Sequence, residues 1–413
     1  MHRKNVVIVV AVLAALGLLW MVGCGGGETT TTTAAPTTET TAVATTDTTA
    51  PAGPSGDPIL IGAVVSATGP ASPLGEPERA VLAMMETQIN DAGGVLGRPV
   101  QIIIEDDQSN PKEAVTATQK LIQQDKVVAL IGCTTSGATL AIKPITAEAG
   151  IPQLAMAASN AITDEPPMDW IWRTPQKDAL AAARALKYVA ETLGVTKIAV
   201  LHDENAFGAS GAAEIAKSAP GLGLEIVATE SYKTDDTDVT AQLTKIKGAN
   251  PEALIVWGTN PGPAVAAKNL KQLGMEIPYI GSHGIANKAF IDLAGDAAEG
   301  VVFPAGKLLA VESITDPAQK AVVSQFVAAF EAATGGKPNT FAGHAFDASA
   351  LLVNAINTAQ STDAAAIQSA LNATTGFPGT GGIFNYSSTD HDGLSVDDMI
   401  MIKIEGGAWV WAK

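Results

Sequence analysis

An apolar run of strand length, Ile59-Leu60-Ile61-Gly62-Ala63-Val64-Val65, decides the fold, because a segment with helical spacing, Glu76–Ala92, follows it. The alternation continues in two further strand–helix pairs, Val100–Ile104 with Pro111–Gln124 and Val127–Ile131 with Ala138–Ala149. Apolar strands without a polar face, each separated by a helix, indicate a parallel sheet that is covered on both faces. The first third of the folded region is therefore predicted to be a doubly wound α/β unit.

The alternation starts again after the short extended piece Trp170–Arg173. Strands are predicted at Lys197–Leu201, Leu224–Ser231, Ala253–Trp257 and Pro278–Gly281, and helices at Asp178–Leu193, Ala212–Lys217, Thr237–Lys247, Pro263–Leu273 and Lys288–Leu293. Later segments are Val301–Phe303, Pro317–Thr334, Gly343–Gln360, Ala364–Asn372, Gly382–Tyr386 and Met399–Trp411. We therefore predict an α/β protein with two doubly wound parallel-sheet lobes. Ligands of such sheets bind beyond the carboxyl ends of the strands, in the crevice.

Composition excludes several classes of protein. The chain has 413 residues, 46% of them apolar and 16% charged, so a large core can form and global disorder is excluded. With 25 Lys and Arg against 42 Asp and Glu, the net charge is -17. Such a chain is repelled by phosphate backbones and anionic membranes, which argues against nucleic-acid binding. Two cysteines exclude a disulfide-dense fold and a four-cysteine zinc site.

The N-terminus has the pattern of an export signal. A basic start at His2-Arg3-Lys4 precedes the apolar run Val6–Val22. The alternative is an uncleaved membrane anchor, although this run is short for spanning a bilayer. Met21-Val22-Gly23-Cys24 resembles a bacterial lipobox, in which the cysteine becomes the lipidated first residue. Residues 1–23 are therefore predicted to be a lipoprotein signal peptide, and Cys24 the site of lipidation.

A threonine-rich segment follows Cys24. Glu28–Ala50 contains 13 threonines in 23 residues and almost no apolar side chain, so it cannot form a core. Residues 24–57 are predicted to be a disordered tether that holds the folded body away from the membrane. A coil of that length has an average reach of about 30–35 Å.

No pattern of catalytic chemistry stands out. Nucleophile-elbow, phosphate-loop and zinc-protease motifs do not occur, and none of the five histidines pairs with another at metal-ligand spacing. Asp106-Asp107 point to opposite faces of an extended chain, so they are interpreted as polar loop residues that cap the helix at Pro111. Cys133 is interpreted as a buried apolar residue. We therefore predict no enzyme activity, no cofactor and no metal.

Polar residues do cluster where strands meet helices. Gly132-Cys133-Thr134-Thr135-Ser136-Gly137 follows the third strand and opens a helix, and Ala157-Ala158-Ser159-Asn160 follows the next strand. Hydroxyls and free N–H groups at a helix N-terminus suit a small anion, although Ser and Thr also cap helices without binding anything. Two such turns on one crevice are predicted to hold one carboxylate.

These turns and their surroundings resemble the type I periplasmic binding proteins, in particular the leucine/isoleucine/valine-binding branch that serves ABC importers. The resemblance covers Pro58–Lys413. It rests on Ile61–Ala63, Ser66–Pro70, Asp91–Arg98, Glu105–Asp107, Asn110-Pro111, His202-Asp203, Phe207-Gly208, Gly281–Gly284, Ala297–Gly300 and Gly343–Ala348. It implies two lobes, joined by a three-segment hinge, that close over a small solute. The disulfide of that family is missing here, because its two positions fall near Ser109 and Thr135. After lipidation of Cys24, Cys133 is expected to have no partner.

The resemblance implies ligand-binding roles for residues of the first lobe. Ser136 matches the hydroxyl that grips the ligand carboxylate, and Ser159 matches the second carboxylate-binding hydroxyl. Ala157 matches the residue whose backbone carbonyl faces the ligand ammonium. Leu74 matches an apolar-wall residue near the first turn.

From the far lobe, Phe207 matches a tyrosine, and Thr259 falls near a second one, with Asn260 beside it. His283 stands where amino-acid binders carry an acidic side chain for the ammonium. A buried ammonium without a carboxylate partner is unfavourable by several kcal/mol, and a histidine supplies no negative charge. A carboxylate without an amine and with an apolar or aromatic body is favoured.

Two other ligand classes stay open. An α-amino acid fits if Asp203, Glu204 or Asp235 supplies the negative charge, and amides or other solutes are a third option. The chain is expected to be a monomer, anchored by lipid on the outer side of the cell membrane, that delivers its ligand to an ABC permease. A sensor lipoprotein that feeds a signalling receptor would have the same pocket.

The domain prediction follows from the same resemblance. Lobe one comprises residues 58–174 plus 304–398, and lobe two comprises residues 175–303 plus 399–413. The hinge crossings are expected near Arg173–Pro175, Phe303-Pro304 and Asp398–Ile400. Ligand is expected to dock first on Ser136 and Ser159, after which lobe two closes and brings Phe207, Thr259 and His283.

Overall fold

The computed structural model describes residues 53–413. The predicted signal peptide, the predicted lipidation at Cys24 and most of the predicted tether lie outside the described residues. Within residues 53–413, no helix combines the length and the apolar character needed to cross a bilayer.

The first sheet has five parallel strands in the order β2-β1-β3-β4-β5. The run quoted at the outset is an inner strand of this sheet, in which Ile61 pairs with Ile102 on one side and with Ala129 on the other. The strands are β1 Ile59–Val65, β2 Val100–Asp106, β3 Ala129–Gly132, β4 Gln153–Ala155 and β5 Ile171–Arg173. The helices between them are α1 Ser72–Asp91, α2 Pro111–Gln123, α3 Ser136–Ala149 and the single turn α4 Ala161–Asp164.

The second sheet has seven strands in the order β14-β13-β10-β9-β8-β6-β7. The strands are β6 Lys197–Asp203, β7 Glu225–Tyr232, β8 Ala253–Trp257, β9 Tyr279–Gly281, β10 Val302–Gly306, β13 Met399–Glu405 and β14 Ala408–Ala412. β13 and β14 are antiparallel to their neighbours, because the chain returns to the sheet and turns back at Gly406-Gly407. The associated helices are α5 Asp178–Lys187 with the π-helical turn Tyr188–Leu193, α6 Ala206–Ser218, α7 Thr240–Gly248, α8 Gly262–Gln272 and α9 Lys288–Ala294.

The chain then returns to the first sheet. The helices α10 Pro317–Thr334, α11 Thr340–Ala359 and α12 Ala364–Asn372 follow β10, and the short strands β11 Phe377–Pro378 and β12 Ile383–Phe384 come next. Phe326, Phe346 and Leu351 share one apolar core with Ile61 and Trp172 of the first sheet. Short 3₁₀ turns lie at Ala219–Leu222, His283–Ile285, Gly295–Ala298, Lys307–Leu309, Val311–Ser313 and Val396–Asp398.

Three connections run between the two units: β5 to α5, β10 to α10, and β12 to β13. Each unit has its own apolar core. The predicted fold class, two α/β lobes with a three-segment hinge, is confirmed. The residue boundaries of the lobes stay a prediction.

One local prediction is wrong. Asp106-Asp107 do not cap α2, because the side chain of Asn110 accepts the Lys112 N–H at 2.9 Å. Asp107 instead accepts hydrogen bonds from the Ser66 hydroxyl at 2.6 Å and from the Ser109 N–H. It therefore ties the end of β1 to the loop after β2.

Candidate functional site

A cavity of about 300 Å³ lies where the carboxyl ends of the two sheets meet. This volume is at the lower end of the range for small-molecule sites. Residues of both lobes line it, and they include six of the seven predicted ligand-binding residues: Leu74, Ser136, Ala157, Phe207, Thr259 and His283. The seventh, Ser159, is buried directly behind Ser136.

Ser136 is suited to binding an anion, because it lies in the first turn of α3. Thr135 is the N-cap, and its side chain accepts the Ala138 N–H at 3.4 Å. The Ser136 Oγ accepts the Ser159 N–H at 3.2 Å, which leaves the hydroxyl proton to be donated into the cavity. A helix N-terminus favours negative charge, so this corner suits a carboxylate. The second polar turn, Ala157–Asn160, is less suited to an anion, because the helix that follows it, α4, is only one turn long.

Buried acids lie beneath this corner. The Thr134 hydroxyl, which lines the cavity, donates to Glu78 and accepts the Ser66 N–H at 2.9 Å. Burial raises the pKa of Glu78 well above its usual value. Through its bond with Thr134, Glu78 supports the turn from beneath.

The apolar wall depends on a close approach of α1 to β1. A side-chain carbon at Gly75 would lie 2.1 Å from the Ser66 carbonyl oxygen, so only glycine allows this packing. Leu74 is thereby held against the cavity, 2% exposed. The contact explains why the helix begins at Ser72, four residues before its predicted start.

The far wall is aromatic and centres on His283. This residue lies in the 3₁₀ turn after β9, with ring centroids 5.3 Å from Phe207 and 5.7 Å from Trp257, both edge-on. Burial, with a smaller effect from the charge of Arg173, lowers the pKa of His283 to about 3. The ring is therefore neutral at physiological pH. Among the described residues neither of its nitrogens has a hydrogen bond of good geometry. The Gln176 backbone is near enough to raise its pKa slightly, and Asp178 Oδ1 lies 4.0 Å from Nε2.

The first lobe contributes a second histidine that the sequence analysis did not assign to the site. His344 lies on α11 and lines the cavity, with its ring edge-on to Phe341 at 5.7 Å. Burial and the neighbouring His283 lower its pKa to about 3. Its Nδ1 has no partner among the described residues. The helix around it is mostly apolar and buried along most of its length, so its pattern predicts core and gives no signal of a site. Met156, Asn205 and Thr234 also line the cavity and were likewise missed, whereas Asn260, which was named beside Thr259, lines it as well.

Apart from the two histidines, the lining residues carry no ionisable side chain. Asp203 is buried behind the wall, where its Oδ1 accepts from the Asn205 N–H at 3.0 Å and the Thr234 hydroxyl at 2.8 Å. Glu204 and Asp235 are exposed. None of the three candidates for ammonium recognition lines the cavity.

The two lobes touch beside the cavity. The Asn160 N–H donates to the Ser210 hydroxyl at 3.1 Å, and its side-chain amide donates to Glu214 at 3.2 Å. Ser210 and Glu214 lie on α6 of the second lobe. These bonds hold the cleft in a closed arrangement.

Within residues 53–413, no three His, Cys, Asp or Glu side chains come together as metal ligands. Cys133 is free and fully buried in an apolar cluster. Its predicted role as a buried apolar residue therefore agrees with its surroundings.

Comparisons with known proteins agree with this architecture. Residues 58–408 match the family model for periplasmic binding proteins. A leucine-, isoleucine-, valine-, threonine- and alanine-binding protein of Pseudomonas aeruginosa is 28% identical over 344 residues, which are 81% of this chain and 90% of that protein.

Solved structures are similar as well. An extracellular ligand-binding receptor of Rhodopseudomonas palustris HaA2 has a TM-score of 0.81 and 28% identity, covering 86% of this chain and all of that one. A branched-chain amino acid transporter substrate-binding protein of Streptococcus pneumoniae, solved with isoleucine, has a TM-score of 0.76 and 26% identity over the same shares.

The relatives are substrate-binding proteins, which bind a solute and do not transform it. Their family acts outside the cytoplasm. The chain therefore belongs to the type I periplasmic binding protein family, in its leucine/isoleucine/valine-binding branch.

Proposed function

We propose that this protein is a solute-binding lipoprotein that captures a small carboxylate lacking an amine in the inter-lobe cleft and delivers it to an ABC permease. The proposal rests on the cavity lining, which has groups that suit an anion but no acidic side chain that suits a cation. Its first-lobe corner offers the Ser136 hydroxyl and a helix N-terminus to an anion. No acidic side chain among the lining residues is available to an ammonium.

The far lobe also favours a negatively charged ligand. Asn205 caps α6 by accepting the Gly208 N–H at 2.9 Å, so the positive end of this thirteen-residue helix also points toward the cavity that Asn205 and Phe207 line. The names of the relatives favour branched-chain amino acids as the ligand. An amino acid would leave its ammonium opposite a neutral His283, which is unfavourable in a buried site.

The lobes that close over this ligand are proposed to be residues 58–174 plus 304–398 and residues 175–303 plus 399–413. A ligand held between them favours closure, because it binds the closed form better than the open form. The closed surface is what a permease would recognise.

The proposed anchor is a lipid on Cys24, followed by the threonine-rich tether. Two acyl chains or more give durable membrane attachment. Mass spectrometry of the mature protein from membranes is expected to find an acylated N-terminal Cys24. An unmodified Met1 contradicts the anchor and leaves the solute-binding proposal intact.

A thermal-shift screen tests the ligand class. We expect aliphatic or aromatic carboxylates without an amine to raise the melting temperature of the protein, because a ligand at 100 times its dissociation constant adds about 2.7 kcal/mol of stability. Leucine, isoleucine and valine are expected to give no shift. A shift from the amino acids alone contradicts the proposed class.

Replacing Ser136 with alanine is expected to weaken the binding of such a carboxylate by about 1–2 kcal/mol, roughly tenfold, because one hydrogen bond to a charged group is lost. Isothermal titration calorimetry measures the change. Ser369→Ala is the matched control, since that hydroxyl is exposed and bonds only to the Ala365 carbonyl. Equal affinities of the Ser136→Ala variant and the unmodified protein would refute the role of Ser136.

A further inference from the structure

We propose that His283 and His344 together hold a hydroxyl group of the bound ligand, separate from its carboxylate, so that the preferred ligand is a hydroxy acid. This inference rests on the proposed function and deepens it. Both imidazoles line the cavity, one from each lobe, and both are buried. They are close enough that a charge on His283 acts on His344.

The ring nitrogens of the two histidines face a ligand cavity while buried from solvent. The Nδ1 of His344 is buried without a hydrogen-bond partner among the described residues, and the nitrogens of His283 have none of good geometry, the Gln176 backbone being their nearest polar contact in the second lobe. Buried polar groups in native proteins are normally satisfied, and exceptions call for an explanation. Atoms left free on both sides of a ligand cavity are explained by a ligand that satisfies them.

The protonation of the rings selects the kind of group. A neutral imidazole has one N–H donor and one acceptor nitrogen, so two neutral rings can offer one donor and one acceptor to the same ligand atom. A hydroxyl oxygen donates one hydrogen bond and accepts others, and so matches both rings. A second carboxylate only accepts, and would bring a further charge into a cavity whose lining has no fixed cation.

Aromatic and apolar side chains surround the two histidines. His283 is enclosed by the rings of Phe207 and Trp257, and His344 by Phe341. Leu74 and Met156 line the same cavity. The hydroxyl would therefore lie among aromatic rings, and a methyl group in its place would leave two imidazoles unsatisfied.

Matched pairs of acids test the proposal by calorimetry. Each hydroxybenzoate isomer is compared with the methylbenzoate of the same substitution, and 4-hydroxybutanoate is compared with pentanoate. The hydroxyl and methyl groups are nearly the same size, so the ratio of affinities isolates the hydrogen bonds. At least one pair is expected to favour the hydroxy acid by tenfold or more. Ratios near one in every pair overturn the proposal.

Variants assign the preference to the two rings. His283→Leu and His344→Leu are each expected to reduce the ratio to less than threefold, and His344→Gln, which keeps a donor and an acceptor, to restore part of it. A ratio that survives both leucine variants contradicts the assignment.

Ser136→Ala separates this proposal from the proposed function. It is expected to weaken both members of a pair equally and to leave their ratio unchanged. If the acids bind, Ser136→Ala weakens them and the ratios are near one, the proposed function stands and the hydroxyl proposal fails. If no acid binds but leucine does, the proposed function has failed, and the hydroxyl proposal with it.

Discussion

Replacing Arg173 with alanine is expected to lower the free energy of unfolding by about 3–5 kcal/mol, because it breaks a buried ion pair and leaves its partner charge behind. Arg173 is fully buried at the end of β5, and its Nε lies 2.6 Å from Asp392 Oδ1. Its Nη1 also donates to the Ala158 carbonyl at 2.8 Å. Urea denaturation followed by tryptophan fluorescence measures the loss, since Trp172 is buried beside Arg173.

The position of this pair makes it important for the hinge. Arg173 ends the segment that leaves the first sheet, and Asp392 lies in the segment that returns from β12 to β13. Burial alone would raise the pKa of Asp392, but the charges of Arg173 and Lys177 outweigh it and lower that pKa. The pair therefore stabilises two of the three crossing segments at neutral pH, and this contribution is lost in strong acid, as Asp392 becomes protonated.

Lys177→Met is the matched control, because Lys177 binds the same carboxylate at 2.6 Å but is 20% exposed. Partly exposed pairs contribute about 1 kcal/mol or less. Arg173→Lys keeps the charge and covers the case in which the alanine variant fails to fold. Equal losses for Arg173→Ala and Lys177→Met would show that burial of the pair does not matter.

Most of the fold could be predicted from the sequence, because apolar strands and helical spacing are local signals. The prediction failed where tertiary contact decides the residue. Helix α6 is predicted at Ala212–Lys217 but spans Ala206–Ser218. Its first half contains Gly208 and Gly211, which weaken a helical pattern. A side-chain carbon would lie 2.0 Å from the Asp203 carbonyl at the first and 2.0 Å from Trp257 Nε1 at the second, so packing requires both glycines.

The prediction of the site residues also failed where contacts between distant segments decide the structure. Ser136 and Ala157 could be found because they follow strands whose ends share one edge of a sheet. His344 could not, because it faces the cavity from a mostly apolar helix and lies 187 residues beyond Ala157 in the chain. The ion pair of Arg173 with Asp392 also joins distant segments, and no local pattern predicts it.

Ligand affinity is expected to fall by up to about a hundredfold between pH 7.5 and pH 5.5. In the closed form the pKa values of His283 and His344 are both about 3. When the cleft opens to water, each ring returns toward its ordinary pKa of about 6.5. The open form therefore binds protons more strongly than the closed form, and acid favours the open form.

The size of the effect follows from two rings that must each release a proton on closure. Below pH 6.5 each ring contributes up to about tenfold per pH unit, and the contribution ends near the closed-form pKa values. The groups facing His283 are Asp178, Arg173 and His344. Asp178, whose pKa burial raises to about 7, bonds to Trp257 within the second lobe, a contact that opening does not break.

Calorimetry with an amine-free carboxylate at pH 7.5, 6.5 and 5.5 measures this dependence above the range in which the ligand itself takes up a proton. His344→Gln is expected to reduce the fall to about tenfold, and the His283→Gln/His344→Gln double variant to remove it. His202→Gln is the control, since His202 lies outside the cavity lining and should leave the hundredfold fall intact. Affinity that rises as the pH falls would mean that the bound ligand brings a second negative charge to the two rings, and that they hold it in their protonated form.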